Sequence, residues 1–448
     1  MNKWRTTMKP MNEYMTELER ACSENDFIDR RLFDEYDINQ GLRDEKGNGV
    51  LTGLTNISLI KSYEVKNGAK EPCDGELWYR GYRVEDLINS LGSDEMGYNK
   101  IAYLLLVGVL PDEKQFADFR AAIGELMSLP TNFTRDVIMK APTDDIMNTM
   151  TRSILTLASY DWELKKNTLE TNIRQCLQLI SQFPTLAVYA YNAYNHYQNL
   201  ESMFIHYPDP ALSPAENILT MLRPDKQYTK TEAKVLDTAL ILHMEHGGGN
   251  NSTFTTRVVT SSGSDTYSTM AAAMCSLKGP KHGGANMKVI DMMADISEHV
   301  RDANDDEELS AYLEKILDKE TFDHRGLIYG MGHAVYTLSD PRERVLKSYV
   351  KQLAAEKGRT DEFRLYEQTE RLAPQIIMNR KHNRTGVCPN VDFYSGFVYD
   401  MLGIPKELYT AIFAVARIVG WSAHRIEELV CTDKIIRPAY MSVMKKKE

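Results

Sequence analysis

The chain has 448 residues and a formal net charge of −10, with 53 Lys and Arg against 63 Asp and Glu. Hydrophobic residues make up 43% of it, which is enough to build a folded core and excludes intrinsic disorder. The acidic balance argues against a nucleic-acid-binding protein, which normally carries a basic stripe. Small anionic substrates stay open, because local arginines can outweigh the global sign.

The six cysteines form no Cys-x-x-Cys pair and are too few for a disulfide framework in a chain of this length. The first residues lack the apolar stretch of a signal peptide. The clearest apolar run, residues 101–110, is too short to span a bilayer, which needs about 20 residues. We therefore predict a cytoplasmic enzyme or binding protein that does not associate with a membrane.

Helical periodicity dominates the chain. It predicts helices over residues 12–24, 101–110, 115–127, 146–158, 184–197, 231–245, 271–277, from 287 onward, and from near Pro405 through Glu428. Pro184 is expected to begin its helix, and Thr231 is expected to cap the next one. Strand signals are confined to residues 59–63 and 75–82, which predict a short sheet near the N-terminus. The predicted fold class is therefore mainly α.

The composition changes in the second half of the chain. Residues 298–319 and 341–372 are charged and amphipathic, whereas the flanking segments are apolar and rich in small residues. This shift predicts a large domain formed by residues 1–283 and 396–448, and a smaller mobile domain formed by residues 284–395. A cleft between two such domains is a natural place for a ligand and for closure motions.

The first segment that could carry chemistry is HMEHGGGNNS, residues 243–252. Its glycines let the backbone approach a ligand closely. His243 and His246 are three residues apart and could share a helix face as metal ligands. The H-E-x-x-H motif and an obvious third ligand are missing, so we predict no metal site. A glycine-rich helix end with a polar histidine is the simpler alternative.

Two further glycine-rich loops each carry one histidine. In GPKHGGAN, residues 279–286, an accessible His282 suits a proton donor beside a bound carbonyl, and the spacing is not that of a P-loop. In GLIYGMGHAVY, residues 326–336, His333 follows two glycines, and no strand–helix unit supports a dinucleotide fingerprint. The alternatives are a solvent-exposed loop histidine and a plain glycine-rich turn.

A carboxylate and three arginines complete the candidate residues. Asp392 lies between apolar neighbours, where burial would raise its pKa toward that of a useful base; the alternative is a helix N-cap. Arg417 lies in an apolar helix and must be paired or bind an anion. With Arg342 and Arg437 it offers three guanidinium groups to carboxylates. Together with the three histidine loops, these residues fit a reaction on a polycarboxylate.

At these segments the chain resembles the citrate synthase family. The matching motifs, in the family's order, are HMEHGGGNNSTF, LKGPKHGGAN, GMGHAVYTLSDPR, PNVDFYSG, ARIVGW and the terminal IIRP, with weaker matches at GLRD, GELWYRGY and YPDPALSPAENILTMLR. The resemblance implies a mostly helical homodimer whose subunits have a large and a small mobile domain. It implies condensation of acetyl-CoA with oxaloacetate and water to citrate and CoA, through an enol and citryl-CoA. Acetyl-CoA is then a substrate, and no cofactor is expected.

The same resemblance implies roles for individual residues. Asp392 is implied to remove the methyl proton of acetyl-CoA, His282 to act as acid at the thioester oxygen, and His333 to polarise the oxaloacetate ketone. The residues implied to hold the oxaloacetate carboxylates are His246, Arg342, Arg417 and, from the other subunit, Arg437. We expect CoA to enter along the loop that contains Ile328, Gly330 and Gly332, and its phosphates to contact Lys381 and Arg384.

Three alternatives remain open at this point. A 2-methylcitrate synthase would use propionyl-CoA on the same scaffold, and one methylene is worth only about 1–3 kcal/mol of discrimination. A non-catalytic helical metabolite-binding protein would be expected to lack Asp392 or His282. A metal-dependent hydrolase would lose its activity in a chelator.

Overall fold

The computed structural model describes residues 11–44, 49–92, 95–333, 335–381 and 386–444, and of Lys381 only the backbone. The chain divides into two compact units, residues 1–54 and 55–448. The first unit contains α1 (Met11–Asn25), α2 (Arg31–Glu35) and a 3-10 turn at Gln40–Leu42. The whole length of α1 is exposed. In neither unit does a described helix combine the length and the apolar character needed to cross a membrane.

The second unit is mainly helical, which confirms the predicted fold class. Its helices are α3 (Val84–Asn89), α4 (Tyr98–Val107), α5 (Glu113–Glu125), α6 (Ile146–Leu157), α7 (Leu169–Asn199), α8 (Pro214–Leu222), α9 (Lys230–His243), α10 (Asn251–Ser261), α11 (Thr266–Leu277), α12 (Ala285–His299), α13 (Asp306–Leu317), α14 (Pro341–Glu356), α15 (Thr360–Lys381), α16 (Asp392–Met401) and α17 (Tyr409–Cys431). A π turn lies at Thr134–Ile138, and 3-10 turns lie at Ala158–Tyr160 and Lys406–Leu408. The strands β1 (Ser58–Lys66), β2 (Ala69–Tyr79) and β3 (Tyr82–Arg83) form an antiparallel sheet in that order. The short sheet predicted from residues 59–63 and 75–82 is thus present, but β1 and β2 are longer than those segments.

Helix α17 runs through the core of the second unit. It packs against α4, α7, α9, α10 and α11. Its residues from Ala411 to Arg425 are all buried, because the sequence is apolar around the whole helix instead of along one stripe. The helix begins at Tyr409, after the 3-10 turn, and not at the predicted Pro405. It therefore carries Arg417 into the interior.

Several predicted helix boundaries are wrong, each for a local reason. Pro184 does not begin a helix; it lies inside α7, which starts after the N-cap Thr168, and the buried surroundings of this stretch outweigh the missing proline N–H. The N-cap of α9 is Thr229, whose capping box with Glu232 follows the Thr-x-x-Glu spacing. The amphipathic stretch 341–372 falls in two helices, α14 and α15, which are separated near Gly358, whose φ is +68°.

A second buried guanidinium lies on α17, two turns after Arg417. Arg425 donates to the side chains of Thr260, Thr266, Thr269 and Asn172 and to the carbonyl of Ser264. These acceptors come from α7, α10, α11 and the loop before α11. A buried charge needs its donors satisfied, so this set of neutral oxygens ties α17 to its neighbours in one orientation.

The small sheet braces two loops that carry predicted site residues. The Ser58 hydroxyl donates to Glu245 at 2.8 Å, and the Gly75 N–H donates to Ser339 Oγ at 3.0 Å. Gly75 has no room for a side chain, because a Cβ would lie 2.2 Å from Ser339 O and 2.6 Å from the Tyr336 ring. The sheet is thus packed directly onto the loop that precedes α14.

The close packing of α17 gives a test of this architecture. In Gly420→Ala, the added Cβ would lie 2.3 Å from Met244 O and 2.6 Å from Glu245 Oε2. We expect the free energy of unfolding to fall by about 1–3 kcal/mol, because a backbone oxygen cannot rotate away. Urea unfolding measures this change. Gly249→Ala, where nothing lies within 4 Å, is the control and should stay within about 0.5 kcal/mol of the parent; equal stability of both variants would contradict the packing.

Candidate active site

The loop after α9 buries two ionisable residues side by side. Glu245 is fully buried and His246 is 8% exposed. The Tyr79 hydroxyl contacts the carbonyls of Ile241 and Glu245, both at 3.1 Å, and holds the loop against the sheet. The Nε2 atom of His246 is buried and has no hydrogen-bond partner within the described part of the chain. A buried polar atom without a protein partner is available to a ligand or to an ordered water.

The His246 loop meets the loop that carries His333. The His246 ring packs edge-on against the rings of His333 and Tyr336, with centroid distances of 5.2 and 5.5 Å. The Nδ1 atom of His333 accepts the N–H groups of Val335 and Tyr336 at 2.9 and 3.0 Å. A neutral imidazole whose Nδ1 accepts must carry its proton on Nε2. His333 therefore presents an N–H donor at Nε2.

Arg342 lies next to that donor and is held by a neighbouring carboxylate. Asp340 accepts from the Arg342 backbone N–H at 3.0 Å, from Nε at 3.0 Å and from Nη2 at 2.6 Å, and both side chains are buried. Arg342 Nη2 lies 3.3 Å from His333 Nε2. Both atoms are donors, so an acceptor oxygen between them would satisfy each. Sequence reasoning missed Asp340, although an Asp directly before a Pro is typical of a helix N-cap.

Arg417 brings a second buried guanidinium to the same place. Its Nε donates to His243 O at 2.7 Å, and its charge lies over the Phe413 ring at 4.7 Å. Its Nη1 is buried without a partner among the described residues. Burial lowers its pKa to about 10, which still leaves it charged at neutral pH. A buried cation with an unused donor is suited to bind an anion.

His282 reaches this region through a hydrogen-bonded serine. His282 Nε2 lies 3.0 Å from Ser252 Oγ, which also accepts the indole N–H of Trp421 at 3.1 Å and lies 2.9 Å from Asn250 Oδ1. Ser252 and Trp421 are fully buried and His282 is half-buried, so the alternative of a solvent-exposed loop histidine is wrong. Burial, together with the charge of Arg417, lowers the pKa of His282 to about 4. Sequence reasoning missed Ser252 and Trp421, because nothing local in the sequence pairs them.

Asp392 is the first residue of α16. Its backbone N–H donates to Asn390 Oδ1 at 3.0 Å, and Val391 occupies the N-cap position, so the N-cap alternative for Asp392 is wrong. Burial raises the pKa of its carboxyl to about 6, and the charges of Arg342 and Arg417 act against this rise. The carboxylate is therefore within electrostatic reach of both guanidinium groups.

Three hydrogen bonds between the segment before α16 and the His333 loop hold Asp392 near that loop. Gly332 N–H donates to Cys388 O at 2.8 Å, Asn390 N–H donates to Gly330 O at 2.9 Å, and Asn390 Nδ2 donates to Gly332 O at 3.0 Å. Gly330 has a φ of +77°, and a Cβ there would lie 2.7 Å from the Phe393 ring. Gly330 thus allows the two segments to lie side by side.

The remaining predicted residues lie elsewhere or outside the description. The side chain of Ile328 is buried in the core. Arg437 lies beyond α17 with an exposed side chain, and within the described residues no hydrogen bond or ion pair links it to the cluster. Arg384 and the side chain of Lys381 lie outside the described residues. His243 Nδ1 is 2.7 Å from Ala239 O, and the described residues contain no group of three or more His, Cys, Asp or Glu placed to hold a metal ion.

The histidines of the cluster are expected to be neutral at physiological pH. Burial, with the charge of Arg342, lowers the pKa of His333 to about 4 and that of His246 well below its ordinary value. Because the unfolded chain binds these protons first, stability should fall as the pH drops from about 6.5 to 4. NMR of 13C-labelled histidine, assigned with His333→Gln, should show no titration of His333 between pH 6 and 8. A titration midpoint between pH 6 and 7 would contradict the lowered pKa of His333.

Comparison with known proteins gives four concordant matches. The family model of the citrate synthase C-terminal domain matches residues 46–439. The citrate synthase of Synechocystis is 32% identical over 394 residues, 87% of this chain and 90% of that protein. A protein of Corynebacterium glutamicum named 2-methylcitrate synthase 2 is 29% identical over 406 residues, 90% of this chain and 94% of that protein. The citrate synthase of Thermoplasma acidophilum, solved as a ternary complex with carboxymethyl coenzyme A and oxaloacetate, aligns with a TM-score of 0.73 at 28% identity and covers 91% of this chain and 97% of that one.

Proposed function

The chain belongs to the citrate synthase family, and on this premise we propose that it condenses acetyl-CoA with oxaloacetate and water to give citrate and CoA. The observation that supports the proposal most is the meeting of one carboxylate and three imidazoles around two buried guanidinium groups. A weak carbon acid needs a base, a proton donor and an anchored electrophile, and this cluster offers all three.

Asp392 is the proposed base. The α-proton of a thioester is very weakly acidic, so a carboxylate removes it only if the developing enolate is neutralised as it forms. A pKa of about 6 makes Asp392 a stronger base than an ordinary carboxylate while leaving it ionised at pH 7. His282, neutral and joined to Ser252, is proposed to hydrogen-bond or protonate the thioester oxygen, which gives the enol.

His333 and Arg342 are proposed to receive the ketone end of oxaloacetate. Their adjacent donors, at His333 Nε2 and Arg342 Nη2, can both bind one acceptor oxygen. Donors at the ketone oxygen polarise the C=O bond, so its carbon becomes a better electrophile without a change in the protonation of the imidazole. His246, Arg342 and Arg417 are proposed to hold the two carboxylates, with the unpartnered Nη1 of Arg417 and Nε2 of His246 as donors.

Water exclusion is the purpose we assign to the predicted small domain, residues 284–395. Early hydrolysis would waste acetyl-CoA, so oxaloacetate is proposed to bind first and closure to complete the site. The CoA contacts proposed for this domain are Ile328, Gly330, Gly332, Lys381 and Arg384. No metal or resident cofactor is required by this scheme, and the citryl-CoA formed is hydrolysed within the same site.

A second candidate function is 2-methylcitrate synthesis from propionyl-CoA. The specific observation in its favour is the similarity, at 29% identity over 90% of this chain, to a protein named 2-methylcitrate synthase. The chemistry and the cluster are common to both reactions, and only the space for one methylene distinguishes them.

The experiment that tests the proposed function is thiol release from acetyl-CoA and propionyl-CoA in the presence of oxaloacetate. We expect turnover with acetyl-CoA, and Asp392→Asn should lower kcat at least about 100-fold, because an amide cannot accept the proton. The wild-type rate should fall as the pH drops below about 6, where the carboxyl becomes protonated. Asp400→Asn, on the same helix but paired with Arg359, is the control.

Near-normal turnover of Asp392→Asn would overturn the assigned base. A higher kcat/KM with propionyl-CoA would favour the second candidate function. Binding of oxaloacetate without any thiol release would favour a metabolite-binding protein, and loss of activity in a chelator would favour a metal-dependent enzyme.

We propose that the protein is a homodimer and that Arg437 of each subunit reaches into the active site of its partner. Mixed dimers of Asp392→Asn and Arg437→Leu test this prediction. If Arg437 acts across the interface, one site of each mixed dimer has both residues intact, and activity returns to about half per dimer. Each parent variant alone should be nearly inactive. Mixed dimers without activity would show that Arg437 acts within its own subunit, and a monomer by light scattering would refute the dimer.

A further inference from the structure

Glu245 is a buried carboxylate beside His246 that the proposed reaction does not use. Its Oε1 accepts three hydrogen bonds, from Ser58 Oγ at 2.8 Å, from Gly247 N–H at 2.6 Å and from His424 Nε2 at 2.9 Å. These donors belong to β1, to the loop after α9 and to α17. One oxygen atom therefore joins the three segments that surround His246.

The Glu245 side chain closes a turn around the backbone of His246. It binds the N–H of Gly247, the residue that follows His246, and Gly247 has a φ of +82°. The carbonyl of Glu245 itself is held by the Tyr79 hydroxyl. His246 is thus fixed at both of its ends, while its ring packs against His333. The direction of its unpartnered Nε2 depends on this turn.

Arg257 orients His424 toward Glu245. Arg257 Nη2 lies 2.7 Å from His424 Nδ1, and since a guanidinium can only donate, Nδ1 accepts. The ring proton then lies on Nε2, which donates to Glu245. Arg257 is itself paired with Glu427 and, at 2.9 Å, with Glu428. The chain from Arg257 through His424 to Glu245 has one consistent direction of donation.

The second oxygen of Glu245 lies beside Gly420 on α17, and the charge of Glu245 interacts with that of Arg417. Oε2 is buried without a hydrogen-bond partner in the described residues, as is Arg417 Nη1. Gly420, one turn after Arg417 on α17, leaves the space for Oε2, since a Cβ there would lie 2.6 Å away. Glu245 therefore supplies negative charge near a buried cation without occupying the donor that a substrate would use.

We propose that Glu245, oriented by His424 and Arg257, is a positioning residue for the keto diacid. It fixes the orientation of His246 and partly neutralises the positive charge of Arg417. This inference rests on the proposed function, because it assumes that His246 and Arg417 hold the carboxylates. It predicts a change in oxaloacetate affinity with little change in the chemical step.

The first test uses two variants of His424. His424→Leu removes the donor to Glu245, and we expect the KM for oxaloacetate to rise at least tenfold, with kcat and the KM for acetyl-CoA within about threefold of the parent. His424→Gln offers an amide N–H in the place of Nε2 and should recover most of the affinity lost in His424→Leu. The matched control is His299→Leu, which replaces an exposed histidine on α12.

The second test uses calorimetry with oxaloacetate alone, on the parent and on Glu245→Ala, with circular dichroism to confirm folding. We expect binding by the parent and at least tenfold weaker binding by Glu245→Ala. No binding by the parent would refute the proposed function. Equal binding of oxaloacetate by the parent and Glu245→Ala would refute the role of Glu245 but not the proposed function. The same holds if His424→Leu lowers kcat and the affinities for both substrates together. If Glu245→Ala does not fold, the comparison of His424→Leu with His424→Gln decides.

Discussion

Two buried guanidinium groups, those of Arg342 and Arg417, set the conditions for the rest of the site. Removing a charge from water is costly unless it is paired or hydrogen-bonded. Arg342 meets this requirement through the bidentate contact with Asp340, whereas Arg417 has one carbonyl, one aromatic ring and a nearby Glu245. Among the described residues, Nη1 of Arg417 has no partner, which leaves this donor available for an anion.

Burial and these two charges together set the protonation of the neighbouring groups, and burial is the larger influence. The charges add to burial in lowering the pKa of His246, His282 and His333, and they oppose burial at Asp392. At neutral pH the imidazoles are therefore uncharged, and the positive charge of the cluster lies on the arginines. This separation suits a reaction in which an enol must form beside a polarised ketone, because no group has to change its protonation state before the substrates arrive.

Glycine positions allow these groups to come so close. Gly330 lets the His333 loop lie against α16, Gly420 leaves space for Glu245, and Gly75 brings the sheet onto the loop before α14. In each case the neighbour that a Cβ would meet is a part of the site or of its immediate support. The geometry of the site thus depends on main-chain approach as much as on the functional side chains.

The sequence by itself determined the fold class, the short sheet and the identity of the histidines, Asp392 and Arg417, because helical period, glycine-flanked histidines and a cation in an apolar helix are local signals. It did not determine the supports: Asp340, Ser252, Trp421 and the link from Glu245 to His424 join residues as far as 179 positions apart. It also misplaced the start of α7 at Pro184, because the buried surroundings that sustain a helix through proline are not written in the local pattern. Only the three-dimensional structure decided which nitrogen of His333 carries the proton, because that follows from the turn in which Nδ1 accepts the N–H groups of Val335 and Tyr336. It also decided which donor of Arg417 has no partner among the described residues, because the contacts of Arg417 exist only once distant segments are packed.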